Sequence, residues 1–193
     1  MFRSYKTPGA MKNLFLLSLL SLLLMQACIN DANESASGTY KSKQPGIYID
    51  REDKQFAVDA AHKGLAEIEL GKLAIHKGLD KKVKNFGTLL IKQHTKMNTR
   101  LYKAATLKKI PLPGAIDSAT QKDLAKLSAN SGKAFDKTFI NYMINNHEVD
   151  IKFFEYASKH VGDKDLKKLA SKNLLVLHRH QYALNGIKAI LKY

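Results

Sequence analysis

The chain has 193 residues, 45% of them hydrophobic, with one cysteine and 32 Lys+Arg against 17 Asp+Glu, a formal net charge of +15. A single cysteine excludes a stapling disulfide within the chain, a cysteine-held iron–sulfur cluster and a thiolate-rich metal site. The charge favours anionic partners, but the lysines are scattered, as in Lys81-Lys82 and Lys167-Lys168, without interleaved aromatics. No nucleic acid is therefore expected as a partner.

The first recognisable segment runs from Met11-Lys12 through the leucine-rich block Leu14 to Leu24 and ends at Met25-Gln26-Ala27-Cys28. A charged start, a short apolar run and a small residue before a cut are the parts of a secretory signal. Met11 is a more natural start for it than Met1. A cysteine directly after the cut resembles a bacterial lipoprotein signal, in which that cysteine is acylated. Met25 and Gln26 depart from the usual Leu and small residue, so an ordinary cleaved signal and an N-terminal membrane helix stay as alternatives. The run is shorter than the about 20 apolar residues that a span requires. The expected organisation is a lipoprotein-type signal over 1–27, lipidation at Cys28, a flexible polar tether over 28–50 and one folded domain over 51–193.

Residues 1–27 hold three basic residues and no acid, which leaves 29 basic and 17 acidic residues, or +12, on the mature part. For an exported protein the available anions are lipid headgroups, lipopolysaccharide and cell-wall polymers. The expected location is the cell envelope, membrane-anchored through the lipid, on the periplasmic side of the outer membrane or at the cell surface. Oligomeric state is not legible.

From about residue 53 onward the pattern is helical. A first long helix is expected over Asp53–Lys77, with Val58, Leu65, Ile68 and Ile75 as its large apolar positions. Beside them runs a stripe of small residues, Ala57, Ala60, Gly64, Gly71 and Ala74, with Glu67 in its middle. Gly78 is placed to end this helix and Asp80 to cap the next. The second helix, over Lys81–Lys108, has Val83, Gly87, Leu90, His94, Met97, Leu101 and Ala104 in one seam. Ile110-Pro111-Leu112-Pro113-Gly114 then breaks the helix, and a short helix over Asp117–Ala129 sits in the long connection. A third long helix over Asp136–Lys159 carries Ile140, Met143, His147, Ile151 and Phe154. Val161-Gly162-Asp163 is the next stop and cap. A fourth, over Lys164–Leu191, carries Leu169, Val176, His180, Ala183, Ile187 and Ile190. Asp80–Phe86 faintly repeats as Asp163–Leu169, a hint of two related hairpins.

Short first and last links with a long middle one predict an all-α, ferritin-like four-helix bundle, with a long crossover between the second and third helices that contains a short extra helix. Glu67, His94, His147 and His180 each lie within about three residues of their helix centre, an axial offset of about 4 to 5 Å. Antiparallel packing brings such residues to one level. One carboxylate and three imidazoles suit a mononuclear copper, zinc or iron ion. The alternative is a hydrogen-bonded polar network that sets helix register and binds nothing. A di-iron centre would require Glu-x-x-His on two helices, yet Ile91 and Leu177 stand three residues before His94 and His180. Met97 or Met143 beside a histidine admits haem, without any Cys-x-x-Cys-His attachment motif. His62, His76 and His160 fall near helix surfaces or ends, and His178 points away from His180.

Several segments together resemble the domain-of-unknown-function 4142 family. They are Ala60-Ala61, Glu67-Ile68-Glu69-Leu70-Gly71-Lys72-Leu73-Ala74, Gln93-His94, Phe135-Asp136, His147 and Leu177 to His180. The resemblance spans about residues 53 to 190 and implies an exported protein with a ferritin-like bundle, described as an outer-membrane protein, and no established reaction. Gln93 stands where the family usually has Asp. The sequence thus points to an envelope lipoprotein that binds a transition metal through Glu67, His94, His147 and His180. The competing expectation is a non-metal structural or binding module whose basic surface meets anionic envelope components. No nucleophile–base pair, phosphate loop or catalytic carboxylate pair is recognisable, so catalysis is the least favoured reading.

Overall fold

In the computed structural model, residues 49–192 are described, and Cys28, the signal segment and most of the expected tether lie outside them. Five α-helices, and no strand among the described residues, follow in order: α1 (Arg51–Lys77), α2 (Lys81–Leu107), α3 (Ser118–Ser128), α4 (Gly132–His160) and α5 (Lys164–Leu191). Aspartate begins most of them. Asp50, Asp80, Asp117 and Asp163 each accept a hydrogen bond from a backbone N–H in the first turn, satisfying donors that have no intrahelical partner. Ile49 packs into the core and Asp50 caps α1, so the two described residues before the helix belong to the fold. Among the described residues no helix is long and apolar enough to cross a membrane.

The fold is all-α, as the periodicity predicts. α1 pairs with α2 and α4 pairs with α5, each through a tight turn; α1 also meets α4, and α2 meets α5. The core is split into two apolar clusters. One gathers Phe56, Ala57, Leu101, Phe154 and Leu166, and the other gathers Leu70, Val83, Phe86, Phe135, Phe139 and Leu184. Reading each helix from one cluster to the other makes every neighbouring pair antiparallel. The connection between α2 and α4 returns along the bundle, anchored by Ile110 in the first cluster and Leu127 of α3 in the second. Four long helices and a crossover carrying a short helix are thus the observed arrangement.

The two hairpins hold each other's turns. Asp53, in the first turn of α1, accepts from the N–H groups of Gly162 and Asp163 in the α4–α5 turn, both at 2.8 Å. Asp136 of α4 accepts from Leu79 and Asp80 in the α1–α2 turn at 3.0 and 2.8 Å. The same offset of 83 residues separates Asp53 from Asp136, Asp80 from Asp163 and Glu67 from Asp150. The faint repeat is therefore a structural one.

Two helix faces differ from their sequence reading. On α1 the buried face is the small-residue stripe with Phe56 and Leu70, while Val58, Leu65 and Ile68 are half-buried and Ile75 is exposed. Close approach of backbones decides this. A Cβ on Gly71 would lie 2.7 Å from the Gly87 carbonyl oxygen, and one on Gly87 2.6 Å from that of Gly71. Large side chains cannot occupy such a contact and are turned to its flanks. On α5 the buried stripe is Leu166, Ala170, Asn173, Leu177, His180 and Leu184. Of the residues expected there, His180 is buried and Ile190 is exposed. Asn173 takes a core position that hydrophobic periodicity passes over. α4 begins one turn before the expected Asp136, so Phe135 and Asp136 are both inside the helix and buried.

Candidate metal centre

A polar layer crosses the bundle between the two apolar clusters. α2 contributes His94, α4 contributes His147 and α5 contributes His180, with exposures of 2%, 0% and 1%. One ligand nitrogen from each ring lies within 4.8 Å of the others. The mid-helix register predicted this gathering, because antiparallel neighbours bring their centres to one depth. His178 points outward, 4.0 Å from Glu155, and His76 and His160 are exposed.

The tautomers follow from the neighbours. His147 Nδ1 lies 3.1 Å from the Met143 carbonyl oxygen, which can only accept, so that nitrogen carries the proton. His180 Nε2 lies 2.9 Å from Gln93 Oε1 and donates to it. The remaining nitrogens, His147 Nε2 and His180 Nδ1, then face each other at 3.2 Å, each with a lone pair. Metal-bound histidines have this arrangement, with the far nitrogen hydrogen-bonded to an oxygen and the near one free to ligate. Ligand nitrogens around a tetrahedral ion at ~2.0 to 2.1 Å stand about 3.3 Å apart, close to the observed spacing. His94 differs: neither of its ring nitrogens has a hydrogen-bond partner. Leaving such a group unsatisfied in a core costs roughly 1 to 3 kcal/mol.

Glu67 is fully buried beside the triad and is not part of the cluster within 4.8 Å. Its Oε1 accepts from Asn146 Nδ2 at 2.7 Å and lies 3.7 Å from His147 Nδ1. Its Oε2 has no hydrogen-bond partner and lies 4.0 Å from His94 Nε2. Burial disfavours the charged form of each group in the layer. Burial, helped by the nearby Asp150 charge and opposed by Asn146 and Lys63, pushes the Glu67 carboxyl well up. Burial and the other two rings push His94 well down. His147 is lowered to about 3 by burial and by His180, and His180 to about 4 by burial. Neutral imidazole is the ligating form of histidine.

Sequence reasoning missed the surroundings. Asp150 is buried and paired with Lys63 at 2.6 Å; the 83-residue offset from Glu67 was the available signal. Asn98 is buried over Gly64, where a Cβ would lie 1.9 Å from Asn98 Oδ1. Gln93, the departure from the family pattern, orients His180 with an amide oxygen instead of a carboxylate.

The fold is shared with the crystal structure of a DUF305 fragment from Deinococcus radiodurans. That structure aligns at a TM-score of 0.64 and 11% identity, over 72% of this chain and 96% of the fragment. No curated protein matches the sequence. The sequence profile of DUF4142, a domain of unknown function, matches residues 41–187, and with three-quarters of its length inside that match the chain belongs to the DUF4142 family.

Proposed function

We propose that this protein is a cell-envelope lipoprotein whose bundle binds one transition-metal ion through His94, His147 and His180, with Glu67 completing or balancing the site. The observation that carries the metal reading is His94, a buried ring with two unpartnered nitrogens beside the His147 and His180 rings, whose facing nitrogens lie 3.2 Å apart. A cation among the three rings would satisfy one nitrogen of each, including one of the two on His94. Three nitrogens with no thiolate suit copper, zinc or iron, and the role is binding rather than catalysis. Export and anchoring through Cys28 are proposed from the Met11–Cys28 pattern, outside the described residues. The basic mature chain is proposed to face anionic lipid or lipopolysaccharide.

One observation favours a second reading, a metal-free polar network. Turning the Gln93 amide so that its NH2 donates to His180 Nε2 converts the same line into a continuous relay: Gln93 to His180, His180 to His147, His147 to the Met143 carbonyl. This satisfies His147 and His180 but leaves His94 without a partner.

Bound metal measured on the purified chain after equilibration with Cu2+, Zn2+ or Fe2+ separates the two. One equivalent of ion and a raised melting temperature are expected, with affinity reduced at least about tenfold in His94→Ala and His147→Ala. A chain that takes up no ion and gains no thermal stability would refute the metal reading. In that case a larger loss of stability in His180→Ala than in His94→Ala identifies the network.

A further inference from the structure

The triad is buried on all sides, so an ion needs a way in. A small recess of about 10 Å³ adjoins it, at the lower limit of room for one water. Its wall includes His94, Asn98 and Asn173, and Lys63 and Asp150. From α1 come Ala60, Gly64 and Lys63, and of these only Lys63 has a side chain long enough to swing aside. Two groups in this wall lack partners, both ring nitrogens of His94 and the Nδ2 of Asn98. Lys63 is the one residue of this wall that is not buried, and it pairs with Asp150. Lys63 is partly exposed while Asp150 is buried, and their 2.6 Å contact places an ammonium on the carboxylate. The Lys63 ammonium also sits 5.3 Å from the centre of the Phe153 ring.

From these contacts we infer that the Lys63–Asp150 pair is the entry gate of the metal site, with Asp150 as a transient cation site at which an incoming divalent ion displaces the Lys63 ammonium before passing to His94. The inference rests on the metal reading above. The chemistry is ion exchange: one cation replaces another on a buried carboxylate, and the lysine swings to solvent with its proton. A carboxylate suited to capture is hard and anionic, whereas the imidazoles beyond it hold the ion more firmly.

A gate and a ligand leave different kinetic signatures. A gate residue alters association and dissociation together and leaves the equilibrium constant in place; a ligand alters the equilibrium constant. The test is stopped-flow uptake of Co2+ by the purified full chain, followed by chelator-driven release, for the wild type, Asp150→Asn and Lys63→Met. Asp150→Asn is expected to slow uptake and release at least about fivefold each, with affinity within about twofold of wild type. Lys63→Met, which removes the competing ammonium and keeps an arm to pack on Phe153, is expected to accelerate both. Thermal melts of each metal-free variant confirm that the fold is kept. Unchanged rates in both variants, or an affinity loss in Asp150→Asn carried entirely by faster release, would overturn the gate while leaving the metal reading intact. A wild-type chain that binds no Co2+ and none of the three ions above overturns both.

Discussion

The two hairpins share a scaffold and use it in opposite ways. Each begins with an aspartate that ties down the other's turn, and each places a carboxylate, Glu67 or Asp150, at the same register. Between those fixed points they diverge. The α1–α2 pair is drawn together through Gly71 and Gly87, and it holds Gly64 at the position equivalent to His147 and Met97 at the position equivalent to His180. The α4–α5 pair fills its interior with Phe135, Phe139, Met143 and Leu177 and supplies two of the three rings. One hairpin provides room and the other provides donors.

Acidification probes the donor-rich hairpin most strongly. In the metal-free chain His147 is neutral down to about pH 3, whereas the unfolded chain protonates it below about 6.5. The unfolded state therefore binds the extra proton as pH falls through that window, and stability is lost from about 6.5 downward and is fully present above it. Over two pH units the ring withdraws about 2.7 kcal/mol. Urea denaturation at pH 6 and pH 4 should show the wild type losing that much more than His147→Leu; parallel losses would mean the ring is not held neutral. Glu67 and Asp150, both raised, act with the opposite sign and withdraw stability as pH rises above the ordinary carboxylate range.

A smaller effect tests the room-giving hairpin. Gly87→Ala should destabilise by about 2 kcal/mol, against the helix propensity of alanine, because the new Cβ meets the Gly71 carbonyl. At the equivalent position of the other hairpin, Ala170→Gly should cost about 1 to 2 kcal/mol through lost propensity and one buried methyl. A Gly87→Ala chain as stable as the wild type would remove close helix approach as the reason for the glycines.

The shared features should respond most evenly and most weakly. Asp53→Asn and Asp136→Asn each replace one of two acceptors for backbone N–H groups by a donor, and each is expected to cost about 1 to 2 kcal/mol in thermal or chemical unfolding. Losses that differ by more than about 1 kcal/mol would break the equivalence of the two turns.

Much of this was legible in the residues, and the failures have a common cause. Helix limits followed from Gly78, Asp80, Pro111 and Asp163, whose backbone preferences act locally. His94 and His147 stood out because they interrupt otherwise apolar seams at helical spacing. α1 was misread because periodicity weighs Val58, Leu65, Ile68 and Ile75 by their size, while the contact with α2 selects against size. Asp150, Lys63 and Asn146 give no signal in the hydrophobic pattern, since a polar side chain reveals its burial only through a partner far along the chain.

The sequence alone therefore determined which segments become helices, where they stop and which rings lie at mid-bundle depth, because capping, periodicity and rise per residue are properties of single helices. Only the tertiary structure decided that three rings converge while Glu67 stands beside them, that Gln93 orients His180, and that Lys63 covers Asp150. Those facts depend on how closely and at what rotation separate helices pack, and an ångström of approach or one position of rotation changes which side chains meet.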